Sequence, residues 1–382
     1  MKRSNKAVYL AQPNCGDVHE ILNVSMIIML DKIYQDVEVY APRDCCSVLK
    51  QGLANLQYKC FSIHFSETRV YTKKQLPFWS ICGIQELICM LRNRKSDLFF
   101  STLNFLWFPI FNMVSFLLKG NMYTLCHNDM EHLINPIFGR VNIRWRMINY
   151  IFKRMSFSRN NYCLVLGESI KENLVKCAKR RTVENNIIAM NHPYYSVGQS
   201  NRNPECQKNG PMKVAIVGTI KNKDKENIEQ LNNALNGIET VAVYSISTSD
   251  FDLSPYKNIT VLNKDNKHLP RKEYDEIISK MDALYFPYDS NSYRVSASGA
   301  VYEAISKQKP IISTENDYFK SLFSQFGQMG YLFNDFSELR AIFLQLNNRA
   351  YVGVLQENAL RASEYLSPEN YYEVLKKILR ID

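Results

Sequence analysis

Residues 283–314 read "ALYFPYDSNSYRVSASGAVYEAISKQKPIIST" and contain a strand-like run, a loop of small residues, a helix-like run and a second strand-like run. The two outer runs, "ALYFPY" and "KPIIST", are mostly apolar, as expected of strands buried on both faces of a parallel sheet. The run that begins "GAVYEAIS" has the small and apolar residues of a buried helix. A strand, a helix and a strand in this order predict a β-α-β unit and therefore an α/β fold.

The same alternation extends in both directions along the chain. Each short apolar run is followed by a segment long enough for a helix, such as residues 15–35, and this repetition predicts parallel sheets with helices on both faces. The predicted strands of the first half are "KAVYLAQ", "DVEVYAP", "YKCFSIHF", "DLFFST", "NMYTLCH", "NYCLVLG" and "NIIAMNHP". Those of the second half are "MKVAIVG", "ETVAVYSI", "NITVL", "DALYFPY", "KPIIST" and "YLFN".

A polar segment separates the two series. Residues 193–211, "PYYSVGQSNRNPECQKNGP", are rich in Asn, Pro, Gly and Ser, which is typical of an interdomain linker. We therefore predict two doubly wound domains, at residues 1–192 and 212–365, facing a central cleft. Ligands of such sheets bind beyond the carboxyl ends of the strands, so we expect a site in that cleft. A last helix within residues 366–382, opened by Pro368, is predicted to cross back to the first domain.

Length and composition support two globular domains. The chain has 382 residues, of which 46% are hydrophobic and 22% charged, which is typical of a folded protein. Ten cysteines are scattered without a CxxC pair or a zinc-type cluster, which favours reduced thiols in the cytoplasm. The first residues are basic but lack the apolar core of a signal peptide, so no export is expected.

One apolar stretch has the length of a membrane span. It covers residues 98–118, "LFFSTLNFLWFPIFNMVSFLL". Polar residues and Pro109 interrupt it, and a strand and a core helix joined near residues 102–104 explain the same composition. We favour the strand and helix over a transmembrane segment.

The positive charge is concentrated in the first half of the chain. The net charge is +10, and residues 1–190 contain 25 Lys and Arg against 14 Asp and Glu. The densest part, residues 140–181, interleaves basic residues with Trp145, Phe152 and Phe157. One helix of this stretch fits an anionic membrane surface, and an ordinary solvated basic face is the alternative. No nucleic-acid recognition motif is present in the sequence, so we expect no nucleic-acid partner.

The loop and helix after "ALYFPY" have the chemistry of a phosphate site. A helix start presents free N–H groups and a partial positive charge, which stabilise a diphosphate. Ser298 is placed to cap this helix, Gly299 removes a Cβ from the approach of a phosphate, and Arg294 can add charge. Glu303 lies one turn later on the same face and can accept the hydroxyls of a ribose. A plain N-cap and a solvated carboxylate are the alternative, but the apolar neighbours of Glu303 indicate burial and hence a need for a partner.

A second glycine follows the first strand of the second domain. Gly218 ends "VAIVG" and precedes a loop that contains Lys221, Lys223 and Lys225. A glycine allows close approach of a ligand to the backbone, and a lysine supplies a point charge for a phosphate. Such loops are common, so this glycine and its lysines are weak evidence without the helix start at Gly299.

The first domain also has polar residues directly after a predicted strand. They lie in "CHNDMEHL", and we favour Asp129 as a base that deprotonates a substrate hydroxyl, with His127 second. Turns and caps formed by these polar residues are the alternative. Their spacing fits no standard metal site, and no metal is expected. In the loop "QPNCGDVHE", Gly16 can admit donor or acceptor to the backbone and Asp17 can begin a helix.

Taken in order, these motifs resemble the GT-B glycosyltransferases of family 4, the glycogen-synthase-like and lipopolysaccharide-type group. The resemblance covers nearly the whole chain and rests on the order of "YTLCHND", "LVLGESIKENL", "IIAMNHP", "VAIVGTIKNK" and "SGAVYEAISKQKPIIST". It implies that the glycine loop, Ser298 and Gly299 bind the donor diphosphate, that Glu303 binds ribose, and that no metal cofactor is needed. Retaining members have a second Glu where this chain has Val295, and an Arg where it has Thr219.

The resemblance implies a glycosyltransferase of the hexosyltransferase type. It would transfer a sugar from a nucleotide diphosphate-sugar to a hydroxyl acceptor, and the basic first domain suggests a lipid-linked glycan of a surface polysaccharide on the inner face of the membrane. A catalytically weak GT-B scaffold subunit is one alternative, motivated by Val295 and Thr219. A nucleotide-sugar epimerase of the same fold is the other.

Overall fold

The computed structural model describes the chain in nine stretches separated by short gaps. They are residues 5–11, 19–60, 62–68, 76–134, 143–178, 181–195, 210–267, 269–346 and 349–381. The chain forms two compact units. The first comprises Met1–Val197, Tyr293–Ala297 and Leu366–Asp382, and the second comprises Gly198–Ser292 and Ser298–Tyr365.

The first unit contains a seven-stranded sheet in which every neighbouring pair is parallel. Its strands are β1 Lys6–Leu10, β2 Asp36–Pro42, β3 Ile63–Thr68, β4 Asp97–Phe100, β5 Met122–Cys126, β6 Asn161–Val165 and β7 Ile187–Ala189. Their spatial order is β3-β2-β1-β4-β5-β6-β7, so the chain reverses its direction of winding between β1 and β4. This reversal is the topological switch point of a doubly wound sheet.

Helices connect these strands. They are α1 Glu20–Ile33, α2 Arg43–Asn55, α3 Leu76–Arg92, α4 Phe108–Val114, α5 Ile143–Lys153 and α6 Glu168–Cys177. Short 3₁₀ turns cover Ser115–Leu117, Asn128–Leu133 and Arg181–Asn186. The helix predicted at residues 15–35 begins at Glu20, because His19 has a left-handed backbone with φ of 62° and cannot continue it.

The second unit contains a six-stranded parallel sheet and a two-stranded ladder. Its strands are β8 Met212–Ile216, β9 Thr219–Ile220, β10 Val241–Ser245, β11 Thr248–Ser249, β12 Ile259–Val261, β13 Ala283–Phe286, β14 Ile311–Thr314 and β15 Gly330–Phe333. The order of the sheet is β12-β10-β8-β13-β14-β15, with the ladder formed by β9 and β11. The six strands follow the Rossmann arrangement, with the switch point between β8 and β13.

The remaining helices belong to the second half of the chain. They are α7 Lys225–Ala234, α8 Arg271–Ser279, α9 Gly299–Ser306, α10 Asp317–Phe326, α11 Leu339–Leu346, α12 Arg349–Leu366 and α13 Pro368–Ile378, with 3₁₀ turns at Asn222–Asp224 and Phe336–Glu338. Two Rossmann-like sheets confirm the predicted α/β class. Pro368 opens the last helix as predicted, since its missing N–H is not needed at a first turn.

The last helix packs in the core of the first unit. Tyr371, Leu375 and Leu379 of α13 are buried in one apolar cluster with residues of α1. The Tyr371 hydroxyl also accepts a hydrogen bond of 2.6 Å from the backbone N–H of Asn191. Helix α13 is therefore part of the first unit.

The apolar stretch at residues 98–118 forms strand β4 and helix α4, as favoured above. None of the helices in the described ranges combines the length and the apolar composition needed to cross a bilayer. The expectation of reduced thiols is wrong at Cys45, which is disulfide-bonded. The described cysteines with free thiols are Cys46, Cys60, Cys82, Cys89, Cys126, Cys163 and Cys177.

Replacing Leu375 with alanine is expected to lower the free energy of unfolding by about 3 kcal/mol, because the substitution leaves a cavity between α13 and the core of the first unit. Urea unfolding followed by circular dichroism measures this change. Lys377→Ala, at an exposed position of the same helix, is the matched control. Equal midpoints for the two variants would show that α13 does not stabilise the unit.

Candidate functional site

In the second unit, three residues meet where the central strands end. Gly218 follows β8 with φ of 93°, and a Cβ on it would lie 2.7 Å from the Tyr288 hydroxyl. The Tyr288 hydroxyl is also 3.0 Å from the Ser298 hydroxyl, directly before α9. The Thr314 hydroxyl donates to the carbonyl of Tyr288. Gly218 is therefore required both by its left-handed backbone and by the proximity of Tyr288.

The start of α9 differs from the prediction in one respect. Ser298 occupies the N-cap position, but its side chain makes no capping hydrogen bond and instead contacts Tyr288. Gly299 is exposed, and a Cβ there would meet no atom within 4 Å. The protein itself therefore does not require a glycine at 299. The open approach to this helix start is what an incoming anionic group needs.

The structure distinguishes the three lysines of the basic loop. Lys223 Nζ donates to Ser292 Oγ at 2.7 Å and to Asp289 Oδ2 at 3.2 Å, so it bridges to the loop after β13. All three lysines are exposed, and Lys225 is the first residue of α7. Burial alone would raise the pKa of Asp289, but bonds from Ser292 and Lys223 lower it overall. Lys223 is thus the lysine that the structure positions beside a strand end.

Glu303 is buried and has a charged partner. Only 5% of its surface is exposed, and the Arg271 guanidinium from α8 donates to both carboxylate oxygens, at 2.8 and 3.0 Å. Lys307 Nζ lies 3.7 Å from the same carboxylate. The partner that burial demands is therefore provided inside the protein. A carboxylate offers about four acceptor positions, so a bidentate arginine leaves capacity for further donors.

In the first unit, three histidines lie close to one another after the strand ends. The rings of His19 and His127 stack, with centroids 4.6 Å apart and an angle of 17° between their planes. His127 Nε2 lies 2.9 Å from the carbonyl oxygen of Ser101. Since a carbonyl only accepts, Nε2 carries the proton and Nδ1 holds the lone pair in the neutral ring.

Burial keeps two of these imidazoles neutral. It lowers the pKa of His127 well below the ordinary value, and the neighbouring His19 and His192 lower it further. Burial also lowers the pKa of His192 to about 4, although His192 Nδ1 lies 2.8 Å from the carbonyl of Pro193, which opposes the shift. His127 is therefore an unprotonated imidazole at neutral pH, as a general base must be.

The other predicted residues of the first domain fall partly outside the described structure. Gly16 and Asp17 lie outside the described residues. Asp129 lies in the 3₁₀ turn Asn128–Leu133, but its side chain is outside the described part. The nearby Glu131 Oε1 accepts from the Ser296 hydroxyl at 2.8 Å and from the N–H of Val295 at 3.2 Å.

The segment Tyr293–Ala297 belongs to the first unit, although it directly precedes Ser298 in sequence. Its residue Arg294 accepts a hydrogen bond of 3.1 Å from the Asn173 amide at its carbonyl. Val295 is fully buried, and its backbone N–H donates to the Glu131 carboxylate. No group of His, Cys, Asp and Glu in the described ranges is arranged to hold a metal ion.

Sequence reasoning missed several residues of these clusters. Arg271 and Tyr288 carry no motif, although the burial expected for Glu303 indicated that some cation had to approach it. His19 stacks on His127, and His192 lowers the pKa of His127, although more than 170 positions separate His19 from His192. The loop "QPNCGDVHE" contains His19, and the predicted strand "NIIAMNHP" contains His192.

No protein-family model and no curated protein matches the sequence. Several solved structures, however, are similar to the structure of this chain. The chain is similar to sucrose-phosphate synthase from Thermosynechococcus elongatus, with a TM-score of 0.65 and 11% identity over 98% of each chain. It is similar to the lipopolysaccharide outer core galactosyltransferase WaaB, with a TM-score of 0.60 and 10% identity over 98% of this chain and 99% of the other. For UDP-GlcNAc 2-epimerase from Neisseria meningitidis, the TM-score is 0.54 and the identity 12%, over 99% of this chain and 100% of the other.

At such identities the similarity establishes the fold. The chain has the GT-B fold, with two Rossmann-like sheets of parallel strands.

Replacing Arg271 with alanine leaves the Glu303 carboxylate buried without its bidentate partner. The free energy of unfolding is expected to fall by about 2 kcal/mol, less than for a fully buried pair because the Arg271 side chain is 45% exposed and Lys307 remains nearby. Chemical unfolding measures the change, with Lys272→Ala on the same helix as control. A loss no larger than that of the control would contradict the role of this pair.

The buried histidines predict that acid destabilises the protein. The unfolded chain binds a proton at residue 192 below about pH 6.5, whereas the folded chain does so only below about pH 4. The unfolded state therefore binds more protons in this window, and the contribution of His192 falls as pH falls through it, by about 3 kcal/mol in total. Above pH 6.5 the contribution is fully present.

The measurement is urea unfolding at a series of pH values for the wild type and for His192→Asn, whose amide can still donate to Pro193. Glu86 acts in the opposite direction, because burial raises its pKa from 4.5 to about 7 and its contribution falls as pH rises. The difference between the two proteins isolates residue 192. If this difference does not change between pH 7 and pH 4.5, the assignment of His192 is wrong.

Proposed function

We propose that the protein is a glycosyltransferase that transfers a sugar from a nucleotide diphosphate-sugar to a hydroxyl acceptor. The observation that carries the proposal is the arrangement at the strand ends of the second unit. Three features lie on elements that follow the adjacent strands β8 and β13: the open helix start at Gly299, the left-handed glycine at 218 and the buried carboxylate of Glu303. This is the place where doubly wound sheets bind nucleotides.

In this proposal each residue of the second unit has a separate role in donor binding. The partial positive charge at the start of α9 stabilises the diphosphate, and the absence of side chains at Gly299 and Gly218 lets the phosphates approach. Lys223 adds a cation that Asp289 and Ser292 hold in place. Glu303, oriented by Arg271, accepts the ribose hydroxyls. The same positive groups stabilise the diphosphate as it leaves.

For the acceptor, we propose His127 as the general base and keep Asp129 as the alternative. The contact of His127 Nε2 with the Ser101 carbonyl supports this choice, since a neutral imidazole with its proton on Nε2 has a lone pair on Nδ1 for the acceptor hydroxyl. Glu131 is bound to the backbone of Val295 and the hydroxyl of Ser296, which favours a structural role for this carboxylate. A lipid-linked glycan remains the acceptor class that we propose.

The similarity to UDP-GlcNAc 2-epimerase supports a second candidate, a nucleotide-sugar epimerase, because that enzyme shares the fold over the whole chain. Both candidates bind a nucleotide diphosphate-sugar. Product analysis separates them, since an epimerase converts the free nucleotide-sugar without an acceptor. A scaffold without activity would bind no nucleotide.

Glu303→Gln is expected to weaken binding of the cognate nucleoside diphosphate about tenfold, because a charged hydrogen bond to ribose is lost. Thermal shift with UDP, GDP and CMP identifies the base, and calorimetry then gives affinities. The 2′-deoxy form of the same nucleotide is the matched ligand. It should bind the wild type more weakly than the ribonucleotide does, whereas Glu303→Gln should bind the two forms with nearly equal affinity.

Glu276→Gln, at an exposed position of α8, is the control variant. If Glu303→Gln weakens both nucleotides by the same factor, Glu303 does not bind the ribose. If no nucleotide stabilises the wild type, the donor site itself is wrong.

A further inference from the structure

Helix α3 of the first unit presents apolar side chains to solvent along one face. Ile84, Ile88 and Leu91 are each between 44% and 46% exposed. Their spacing of four and then three residues places them on one stripe of the helix. Single exposed apolar residues are ordinary, whereas a continuous stripe indicates a surface that contacts something.

A second set of exposed apolar residues lies on α4 and the 3₁₀ turn that continues it. Phe116 is 71% exposed, Met113 64% and Leu117 50%, with Ile110 at 37%. The two segments meet at their ends, because the backbone N–H of Lys119, after the turn, donates to the carbonyl of Arg94, after α3, at 2.7 Å. We call the residues of both sets the α3–α4 surface: Ile84, Ile88, Leu91, Ile110, Met113, Phe116 and Leu117.

The exposed charged residues in this part of the chain are all basic. The exposed charged residues among residues 80–121 are Arg92, Arg94, Lys95 and Lys119. Both acidic residues of this range are buried and engaged within the protein. Glu86 accepts from the Asn104 amide at 2.7 Å, and Asp97 accepts from the N–H of Asn121 at 2.7 Å. The exposed charges that this part of the chain itself contributes are therefore all basic.

The same basic character continues on the other side of α4. Asn112 of α4 accepts from the N–H of Ser158 at 2.8 Å and donates to the carbonyl of Ser156 at 3.0 Å, which fixes residues 156–158 against the helix. The exposed Arg154 and Arg159 flank this segment in sequence. The apolar residues of α4 thus lie between two basic segments, at residues 92–95 and 154–159.

Exposed apolar residues next to basic residues favour one kind of binding partner over another. A second copy that paired through the same surface would bring like charges together, because a two-fold interface places the same patch on both partners. An anionic bilayer matches both properties. Aliphatic and aromatic side chains on helices enter the boundary between headgroups and acyl chains, and Lys and Arg near the surface are attracted by anionic headgroups.

We propose that the α3–α4 surface docks the first unit on an anionic lipid bilayer, with Met113, Phe116 and Leu117 entering the interfacial region. This docking deepens the proposed function. It rests on that function, because the lipid-linked acceptor is the reason for the enzyme to bind a membrane. It also places the docking surface on α3 and α4 rather than on a helix of residues 140–181 alone.

The test is co-sedimentation of the full chain with vesicles of phosphatidylcholine, with and without phosphatidylglycerol. The wild type is expected to bind the anionic vesicles and to lose affinity as salt is raised. The double variant Met113→Ser with Phe116→Ser should bind them at least about tenfold more weakly, since two apolar anchors are lost. Arg94→Glu with Lys119→Glu should weaken binding about thirtyfold and flatten the salt dependence.

Leu344→Ser is the matched control, because Leu344 is 61% exposed on a helix of the second unit. Circular dichroism and urea unfolding verify that each variant is folded. The proposal is overturned if the wild type does not bind anionic vesicles, or if the control loses as much affinity as the variants. It is also overturned if the variants change only self-association in analytical ultracentrifugation, which would identify a second copy as the occupant.

The nucleotide measurements on the same proteins separate this proposal from the proposed function. Variants of the α3–α4 surface should retain the thermal shift produced by the nucleoside diphosphate. A wild type that binds vesicles but no nucleotide would leave the docking surface valid and the donor site wrong.

Discussion

The parallel pairing of β8 with β13 is the constraint on which the candidate donor site depends. Val214, Ala215 and Ile216 of β8 lie opposite Ala283, Leu284 and Tyr285 of β13. Because the strands are parallel neighbours, the segments that follow them leave the sheet at the same edge. Gly218 and Tyr288 consequently meet, Lys223 reaches the loop after β13, and α9 begins where its N-terminus faces this edge.

Electrostatics then determine which polar groups can be buried near that edge. A carboxylate as buried as Glu303 is stable only with a partner, and Arg271 supplies two parallel hydrogen bonds from a neighbouring helix. In the first unit the opposite solution is found. Burial lowers the pKa of His127 and of His192, so that each imidazole stays neutral, and one ring nitrogen of each lies within hydrogen-bond distance of a carbonyl, that of Ser101 or Pro193.

Much of the fold was predictable from the sequence because strands buried on both faces are almost continuously apolar. The predicted strands correspond to β1–β8, β10 and β12–β15, whereas the two-residue strands β9 and β11 were missed because two residues carry no pattern. The candidate site was only partly predictable. Gly218, Ser298, Gly299 and Glu303 follow strand ends that can be read in sequence, but the cap assigned to Ser298 was wrong, because Tyr288 takes its hydroxyl.

By itself, the sequence determined the two series of alternating strands and helices, the helix start at Gly299 and the burial of Glu303. These are local properties, because apolar periodicity and glycine act within a few residues of their own position. Only the tertiary structure decided that Arg271 pairs with Glu303, that His19 stacks on His127, and that the segments after α3 and α4 meet at Arg94 and Lys119. Such contacts join residues far apart in the chain, and their geometry follows from strand order and helix packing, which a single sequence does not record.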